Sequence, residues 1–222
     1  MISSGSSADL FEDEASLAPR TDPIAPGAVV LRQFVGADDD ALLAQISYVQ
    51  AEAPWRRMVT PGGLSMSVAM TNCGTVGWVS DRSGYRYDPI DPASGRSWPA
   101  MPEAFVSLAR RAASAAGFES FEPDACLVNR YEPGTRLSLH QDRDERDFSA
   151  PIVSVSLGLP VIFLFGGAVR AERARRIPLF HGDVVVWGGA ARLAFHGVAP
   201  LKEGHHPKLG RQRVNLTFRK AL

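Results

Sequence analysis

Two side chains that can bind a metal stand two residues apart in His140-Gln141-Asp142. On an extended segment, residues i and i+2 point to the same side, so one ion could contact both. A third candidate ligand, His196, follows a strand-like run, and an antiparallel return could bring it back to the first pair. Two imidazoles and one carboxylate form the facial ligand triad of many non-haem iron centres, which leaves three positions open. The spacing is therefore compatible with an iron site that has room for chemistry.

The same ligand pattern also fits a loop without iron. An H-x-D pair is common by chance, and three further histidines lie downstream of it, at His181, His205 and His206. Taken alone, the pattern favours a polar loop that binds no metal. Zinc is a second alternative, because imidazole and carboxylate also serve that ion.

The C-terminal segment 213–219 strengthens the metal hypothesis. If it forms a strand, alternation places its polar side chains on one face, and these are Arg213, Asn215, Thr217 and Arg219. Buried guanidiniums are costly unless an anion pairs with them, and arginine offers a two-pronged match to a carboxylate. A solvated face on an edge strand is the alternative, and it is preferred for the segment on its own. Beside an iron site, a dicarboxylate co-substrate explains both features.

The elements that must position these residues are mostly short strands. Runs rich in β-formers and bounded by turn residues cover residues 125–131, 152–159, 161–165, 184–187 and 214–218. Two amphipathic helices are predicted before them, over residues 38–53 and 102–117. Many short strands without long intervening helices favour an antiparallel sandwich or barrel, of which the jelly roll is one form. We therefore predict a mainly β fold with flanking helices (α+β).

Composition limits the class of protein. The chain of 222 residues is 45% hydrophobic and 22% charged, which is typical of one globular catalytic domain. Lys plus Arg equals Asp plus Glu at 24 each, so only local basic patches could hold nucleic acid. Two cysteines are too few for a disulfide framework and favour a reducing cytosol. No run approaches the roughly 20 apolar residues of a membrane span, so we expect a cytoplasmic protein without a membrane partner.

The chain is predicted to consist of a leader and one domain. Residues 1–26 are rich in Ser, Asp, Glu and Pro and lack a periodic apolar pattern, so we expect a flexible leader. Residues 27–222 are expected to form the catalytic domain. Within it, residues 60–99 carry repeated Gly, Pro, Asp and aromatic residues, with one strand-like run around 66–70. This segment is predicted to be a lid that recognises the substrate.

Long and unusual motifs extend from about residue 27 to residue 219. They include MVTPGG (58–63), MSVAMTNCG (66–74), PDACLVNRY (123–131), LSLHQDRDE (137–145), HGDVVVWGG (181–189) and NLTFR (215–219). Through them the chain resembles the AlkB family of oxidative DNA-repair dioxygenases, in particular its bacterial members. The resemblance implies a double-stranded β-helix (jelly-roll) core, a monomer, and a reaction that uses Fe(II), 2-oxoglutarate and O2.

The resemblance also implies roles for individual residues. The iron ligands, and therefore the catalytic residues, would be His140, Asp142 and His196. The carboxylates of 2-oxoglutarate would be bound by Arg213 and Arg219, with hydrogen bonds from Asn129, Tyr131 and Asn215. The damaged base would be surrounded by Trp78, Tyr85, Tyr87, Asp144 and Arg170. Of these, the tryptophan would stack on the base, the tyrosines would contact the backbone or phosphate, and the last two would lie near the base edge.

By this resemblance we expect repair of alkylated nucleic acid through oxidative demethylation of bases such as N1-methyladenine and N3-methylcytosine. The products would be formaldehyde, succinate and CO2. These lesions are cationic at neutral pH, so aromatic stacking and a nearby carboxylate both favour them over undamaged bases. Single-stranded DNA is the expected substrate, because the methyl group is hidden at the Watson–Crick edge of a duplex. Double-stranded DNA and RNA stay open as substrates.

Two other functions compete with this hypothesis. One is an Fe(II)/2-oxoglutarate oxygenase that acts on a small molecule or a protein side chain. The expected stacking residues Trp78 and Tyr85 and the acid Asp144 argue against it. The other is a non-catalytic jelly-roll protein that binds metal or nucleic acid. The pair Arg213 and Arg219 argues against that function, because mere binding gives no reason for an anion receptor beside a metal.

Overall fold

Thirteen strands and two α-helices are found in residues 19–222, the part of the chain that the computed structural model describes. The helices are α1 (Asp39–Glu52) and α2 (Glu103–Ala115). The strands are β1 (Arg20–Ala25), β2 (Ala28–Arg32), β3 (Ala69–Gly74), β4 (Gly77–Asp81), β5 (Gly84–Asp88), β6 (Ala125–Tyr131), β7 (Leu137–His140), β8 (Ile152–Gly158), β9 (Val161–Phe165), β10 (Arg175–Leu179), β11 (Val184–Trp187), β12 (His196–Val198) and β13 (Arg213–Arg219).

Two antiparallel sheets pack against each other and form the centre of the fold. The larger has the order β1-β2-β11-β8-β13-β6-β3, and the smaller has the order β10-β9-β12-β7. Buried side chains from both sheets, such as Val185 of β11 and Phe163 of β9, share one apolar cluster between them. The strands β4 and β5 form a separate hairpin. This arrangement confirms the predicted mainly β fold with a jelly-roll core.

The central strand β13 shows how the sequence produces this layering. Its apolar residues Val214, Leu216 and Phe218 belong to the cluster that the helices cover on the outer face of the large sheet. Its polar residues point to the opposite face, where they line an internal cavity. The alternation predicted for this segment is therefore confirmed, and all seven residues of the strand are buried. The alternative of a solvated edge strand is wrong, because β13 pairs with both β8 and β6.

The two helices lie within two residues of their predicted bounds. Helix α1 buries Leu42, Ile46 and Val49 against the large sheet. Helix α2 follows Pro102 and buries Phe105, whose ring meets Phe218 edge-on at 6.0 Å between centroids. Edge-to-face contact is a favoured geometry for aromatic pairs, so this contact helps to fix α2 on the sheet. No helix among residues 19–222 is long and apolar enough to cross a membrane.

The predicted leader extends too far into the fold. Residues 20–25, expected to be flexible, form β1 and pair with β2 through a tight turn at Gly27, which has a φ of +78°. Arg32 of β2 holds this strand by donating to Asp22 at 2.8 Å, and Ile24 is buried. These contacts compensate for the polar residues and the proline that made the segment look irregular. Residues 1–18 of the predicted leader lie outside the described residues.

The segment 60–99, predicted to be a lid, contains two different structures. Its first strand, β3, is the edge strand of the large sheet and pairs with β6 from Ala69 to Gly74, a few residues later than the predicted run. The following hairpin β4–β5 stands outside the two main sheets. The segment is therefore partly framework, because β3 is buried along most of its length.

Candidate active site

The three predicted metal ligands meet where β7 and β12 lie side by side. His196 at the start of β12 pairs in register with His140 at the end of β7. The ligand atoms of these two histidines and Asp142 all lie within 4.8 Å of one another. The Nε2 atoms of His140 and His196 are 3.6 and 3.8 Å from the Asp142 carboxylate oxygens. One ion could therefore reach all three side chains.

Hydrogen bonds fix the orientation of both imidazoles. Nδ1 of His140 lies 2.8 Å from the carbonyl oxygen of Ser138, and Nδ1 of His196 lies 3.0 Å from that of Ala194. Because a carbonyl only accepts hydrogen bonds, Nδ1 carries the proton in each ring and Nε2 presents its lone pair. This outer contact is the usual way in which proteins orient a histidine ligand. Both free lone pairs face the same carboxylate.

The protonation states of the triad suit a cation. Burial, and then the neighbouring His140, lowers the pKa of His196 to about 4, so its imidazole is neutral at neutral pH. Burial alone would raise the pKa of Asp142, but the positive charge and the hydrogen bond of Arg219 outweigh it and hold that pKa well below its usual range. Two neutral imidazoles and an ionised carboxylate are the forms that bind a divalent ion. His196 and Asp142 are therefore already in the forms that bind a divalent ion.

The two predicted co-substrate arginines differ in their environment. Arg219 donates from Nε to Asp142 Oδ2 at 2.8 Å and lies 3.4 Å from Glu145. Arg213 is 1% exposed, and its Nη2 donates to the hydroxyl of Ser156 at 2.8 Å. Its Nε and Nη1 atoms are buried and have no hydrogen-bond partner among residues 19–222. Of the two side chains, Arg213 is therefore the one that presents unpartnered N–H groups.

A buried guanidinium with two unpartnered nitrogens is a receptor for an anion. Burial lowers the pKa of Arg213 from its ordinary value, but arginine stays protonated in proteins. An uncompensated charge inside a protein is costly, whereas a carboxylate can accept two parallel hydrogen bonds from such a group. Arg213 lines the same cavity as the triad. These residues therefore fit a carboxylate of 2-oxoglutarate.

The other three predicted co-substrate residues line the same cavity. Asn129 has a buried side-chain oxygen without a partner in the described part of the chain, and its Nδ2 is 3.4 Å from Asn215. The side chain of Asn215 is occupied by protein, since its Nδ2 donates to Ser154 and to the backbone of Val155, both at 2.8 Å. Tyr131 lies under the Arg213 guanidinium, and the centre of its ring is 5.0 Å from the guanidinium carbon. Asn215 thus orients its neighbours in this structure, while Asn129 keeps a free acceptor.

An aromatic pair stands at the mouth of the cavity on the hairpin β4–β5. The rings of Trp78 and Tyr85 are stacked, with centroids 5.6 Å apart and planes 13° from parallel. Tyr85 is 47% exposed. The indole Nε1 of Trp78 donates to Asp144 Oδ2 at 2.8 Å, so a carboxylate lies at the ring edge. Trp78 is half-buried against the apolar cluster between the sheets and Tyr85 is exposed, so the pair offers a flat surface beside an acid.

Two other predicted substrate residues lie in different surroundings. Arg170 is exposed, lines the cavity and lies 5.8 Å from the ring of Phe195. Tyr87 is partly buried, and its hydroxyl donates to Glu145 at 2.7 Å. Burial and the nearby carboxylates outweigh Arg219 and raise the pKa of Tyr87 well above its ordinary value. The hydroxyl expected to contact the nucleic-acid backbone or phosphate is therefore engaged inside the protein.

The remaining histidines are separate from the triad. His181 accepts from the backbone N–H of Gly158 at 2.9 Å and lies 3.1 Å from Asp39 at the start of α1. His206 stacks on it with ring centroids 4.4 Å apart. His181 therefore joins a helix start to a strand end, as expected for a structural residue. His206 is half-buried by this stacking, whereas His205 is exposed.

One cavity of about 800 Å³ brings these groups together. Its lining includes the metal-ligand triad, the co-substrate residues, the stacked aromatic pair, and the arginines Arg136, Arg143 and Arg170. Other arginines are paired with acids, namely Arg56 with Asp91, Arg57 with Glu132 and Arg86 with Asp81. Arginines that line the cavity, such as Arg170, supply the positive charge around it.

Comparison with known proteins agrees with this site. A family model described as the 2OG-Fe(II) oxygenase superfamily matches residues 27–219. Enzymes named alpha-ketoglutarate-dependent dioxygenase AlkB from Salmonella typhimurium and Escherichia coli are 58% and 57% identical to the chain, over 96% of it and 97% of each relative. The solved structure of OsALKBH1 superposes with a TM-score of 0.79 at 30% identity, covering 90% of this chain and 100% of that one.

The chain therefore belongs to the AlkB family within the 2OG-Fe(II) oxygenases. It is a dioxygenase that requires Fe(II), 2-oxoglutarate and O2. The predicted family, enzyme class and cofactors are confirmed.

Proposed function

We propose that the chain removes methyl groups from alkylated bases of nucleic acid by oxidation. The observation that carries this proposal is the shared cavity, which is lined at once by the triad, by Arg213 and by the stacked pair Trp78 and Tyr85. A small-molecule oxygenase would have no need of an exposed aromatic platform at the cavity mouth. A flipped base needs such a surface, because stacking between aromatic side chains replaces the stacking lost from the strand.

In this proposal, His140, Asp142 and His196 hold Fe(II). Their ligand atoms lie within 4.8 Å of one another, while Arg219 donates to Oδ2 of the carboxylate. When bound, Fe(II) with 2-oxoglutarate and O2 supplies the oxidation of the methyl C–H bond, and the co-substrate leaves as succinate and CO2. The hydroxymethyl amine left on the base then collapses to formaldehyde and the unmodified base.

Arg213 binds the distal carboxylate of 2-oxoglutarate through its guanidinium, on which Nε and Nη1 have no partner among residues 19–222. Asn129 and Tyr131, on the neighbouring strand β6, lie beside it and complete the wall of this subsite. Asn215 lines the same subsite and donates to Ser154 of β8, which orients this wall. Arg219 balances the triad carboxylate and is available to a second anionic group at the metal.

Base recognition is assigned to the hairpin and the adjoining loop. Trp78 stacks on the base, and Tyr85 and Arg170 lie at the cavity mouth, where the nucleic-acid backbone would pass. Asp144 is held by the indole N–H at the edge of the stacking surface, where it faces a cationic lesion. Cation–π attraction and this carboxylate together favour N1-methyladenine and N3-methylcytosine over neutral bases.

The direct test is formaldehyde release from a defined oligonucleotide. We expect the purified protein with Fe(II), ascorbate and 2-oxoglutarate to release one formaldehyde for each N3-methylcytosine repaired in single-stranded DNA. The unmethylated oligonucleotide is the matched control. The same lesion in duplex DNA and in RNA compares the strand preference. Turnover of 2-oxoglutarate without formaldehyde from any methylated strand would show that the enzyme oxidises a different class of substrate.

Replacing Asp144 with asparagine is expected to change lesion preference more than overall turnover. The amide keeps an acceptor for the Trp78 indole but loses the charge that favours a cationic base. The attraction between an exposed carboxylate and a cationic base contributes about 1 kcal/mol. Its loss corresponds to a roughly fivefold lower kcat/KM for N3-methylcytosine. A neutral methylated base such as N3-methylthymine should be little affected. An equal loss for both lesions would contradict selection by charge.

A further inference from the structure

Four buried charged side chains form a closed group behind the triad. Asp142 and Glu145 carry two negative charges, and Arg192 and Arg219 carry two positive charges. Their side chains are 9%, 1%, 4% and 7% exposed in that order. Burying charges is costly unless each has a partner of opposite sign. Here the four charges sum to zero, so the group is balanced as a whole and unbalanced if any member is removed.

Glu145 contacts both arginines of the group, and each of these arginines contacts Asp142. Its Oε2 lies 3.1 Å from Arg192 and its Oε1 lies 3.4 Å from Arg219. Arg219 in turn donates to the Asp142 carboxylate, at 2.8 Å from Nε. Arg192 donates to the backbone oxygen of Asp142, also at 2.8 Å. Glu145 therefore holds, from one side, both arginines that fix the position of the triad carboxylate.

The same carboxylate also holds the substrate hairpin. The hydroxyl of Tyr87 on β5 donates to Glu145 Oε1 at 2.7 Å. Tyr87 is the register partner of Trp78 across the hairpin. A hydrogen bond to a buried carboxylate is stronger than one between neutral groups. The position of the stacking surface is therefore tied, through one side chain, to the position of the triad carboxylate.

We propose that Glu145 is a positioning residue that joins the base-binding hairpin to the metal-ligand triad through Tyr87 on one side and Arg219 on the other. It acts through these neighbours and needs no contact with the reacting atoms. This inference rests on the proposed function for the identity of the bound base. The predicted effect of Glu145 on metal binding, the metal arm of the proposal, does not rest on the proposed function. Glu145 balances the charge of Arg219, and this affects any divalent ion that the triad binds.

Two substitutions separate the two sides of the link. Tyr87→Phe removes only the hydroxyl, so the hairpin loses its tie while the four charges stay intact. Glu145→Gln keeps the size and an oxygen acceptor for Tyr87 but removes one negative charge. Arg219, no longer shared, then attracts Asp142 alone and competes with the cation for that carboxylate. The first change should weaken base binding and the second should weaken metal binding.

The experiment compares these variants with matched controls in the full-length enzyme. Tyr48→Phe, at an exposed tyrosine of α1, controls for the loss of a hydroxyl. Asp147→Asn, at an exposed acid that accepts hydrogen bonds from Ser149, controls for the loss of a charge in the same loop. The measurements are kcat and KM for the N3-methylcytosine oligonucleotide, and Mn(II) binding in the presence of 2-oxoglutarate. The second is read from the electron paramagnetic resonance signal of free Mn(II), which needs no turnover.

For Tyr87→Phe we expect KM for the oligonucleotide to rise about tenfold, as for the loss of one hydrogen bond to a charged group, with the Mn(II) dissociation constant unchanged. For Glu145→Gln we expect the Mn(II) dissociation constant to rise about tenfold or more, in the range seen when an outer partner of a metal ligand is lost. Glu145→Asp, which restores the charge, should recover most of the Mn(II) binding. In the Glu145→Gln background, Tyr87→Phe should raise KM less than in the wild type, because the remaining acceptor is neutral.

Two results would overturn the proposal. One is a KM for Tyr87→Phe that matches Tyr48→Phe, and the other is Mn(II) binding by Glu145→Gln that matches Asp147→Asn. If Glu145→Gln does not fold, the comparison of Tyr87→Phe with Tyr48→Phe still tests whether the hydrogen bond of Tyr87 positions the hairpin. If the wild type binds Mn(II) and 2-oxoglutarate but demethylates no oligonucleotide, the proposed function fails while the metal arm still tests Glu145.

Discussion

Replacement of Asp142 by alanine should abolish turnover, and its effect should be the largest of any single substitution in the cavity. The loss should exceed the roughly 10- to 100-fold that follows removal of an outer partner of a metal ligand. Asp142 is the single acid among the three clustered ligands, and its ionised form is held by Arg219. Without it, two neutral imidazoles would face a divalent ion with no anionic ligand.

The same substitution should also lower the stability of the metal-free protein. Arg219 would keep Glu145 at 3.4 Å but lose its shorter contact with Asp142. Breaking one member out of a buried charge group typically costs about 3–5 kcal/mol in the free energy of unfolding. Urea unfolding measures this cost, while formaldehyde release and Mn(II) binding measure the loss of the site.

Asp144→Ala is the matched control, because this acid lies two residues away on the exposed side of the same segment. It should retain Mn(II) binding and most of its stability. Substantial demethylation by Asp142→Ala, with metal bound, would show that the carboxylate is not a ligand and would remove the iron-site assignment.

Sequence reasoning succeeded where a single local pattern decides the structure. The strict alternation of 213–219 requires opposite faces to differ, and β13 has that arrangement because it lies between two strands in the middle of the sheet. The spacing of His140 and Asp142 brings both side chains to one side for the same reason. The bounds of both helices and of the five strands predicted after residue 124 were correct within two residues, since apolar periodicity changes sharply at their ends, whereas β3 lies a few residues after its predicted run.

Sequence reasoning failed where a distant partner decides. The strand β1 contains a proline and several polar residues, and it is a strand because β2 offers its edge and Arg32 offers a counter-charge to Asp22. The local basic patches expected for a chain without net charge could not be assigned to particular side chains, because arginines such as Arg56 pair with acids far along the chain. The local sequence around each of these residues does not indicate which distant residue it will contact.

The buried charge group shows the same limit at the site itself. The motif that carries the triad also contains Glu145, but nothing in the motif says that this acid is 6% exposed while Asp144 is exposed. Arg192 follows a different strand and meets the group only in the folded protein. The ligands could be predicted, but the partners that fix their orientation could not.

Replacement of Arg213 by methionine should have opposite effects on activity and on stability. Without the guanidinium, the KM for 2-oxoglutarate should rise by about 100-fold or more, as when one member of a buried charge pair is lost. The protein free of ligand should become more stable by about 1–4 kcal/mol, because an apolar side chain of similar length replaces an unpartnered buried charge. The lost hydrogen bond to Ser156 would oppose this gain, at a cost of about 1 kcal/mol.

Arg219→Met is the matched control, because it removes an equally buried arginine whose charge is already paired. It should destabilise the ligand-free protein, since Asp142 and Glu145 would both lose a partner. Thermal unfolding with and without 2-oxoglutarate measures both effects. A ligand that binds only the folded state raises the wild-type midpoint, and this rise should be absent from Arg213→Met. If both variants were destabilised equally, Arg213 would have a partner within the protein, and the assignment of the co-substrate subsite would lose its physical basis.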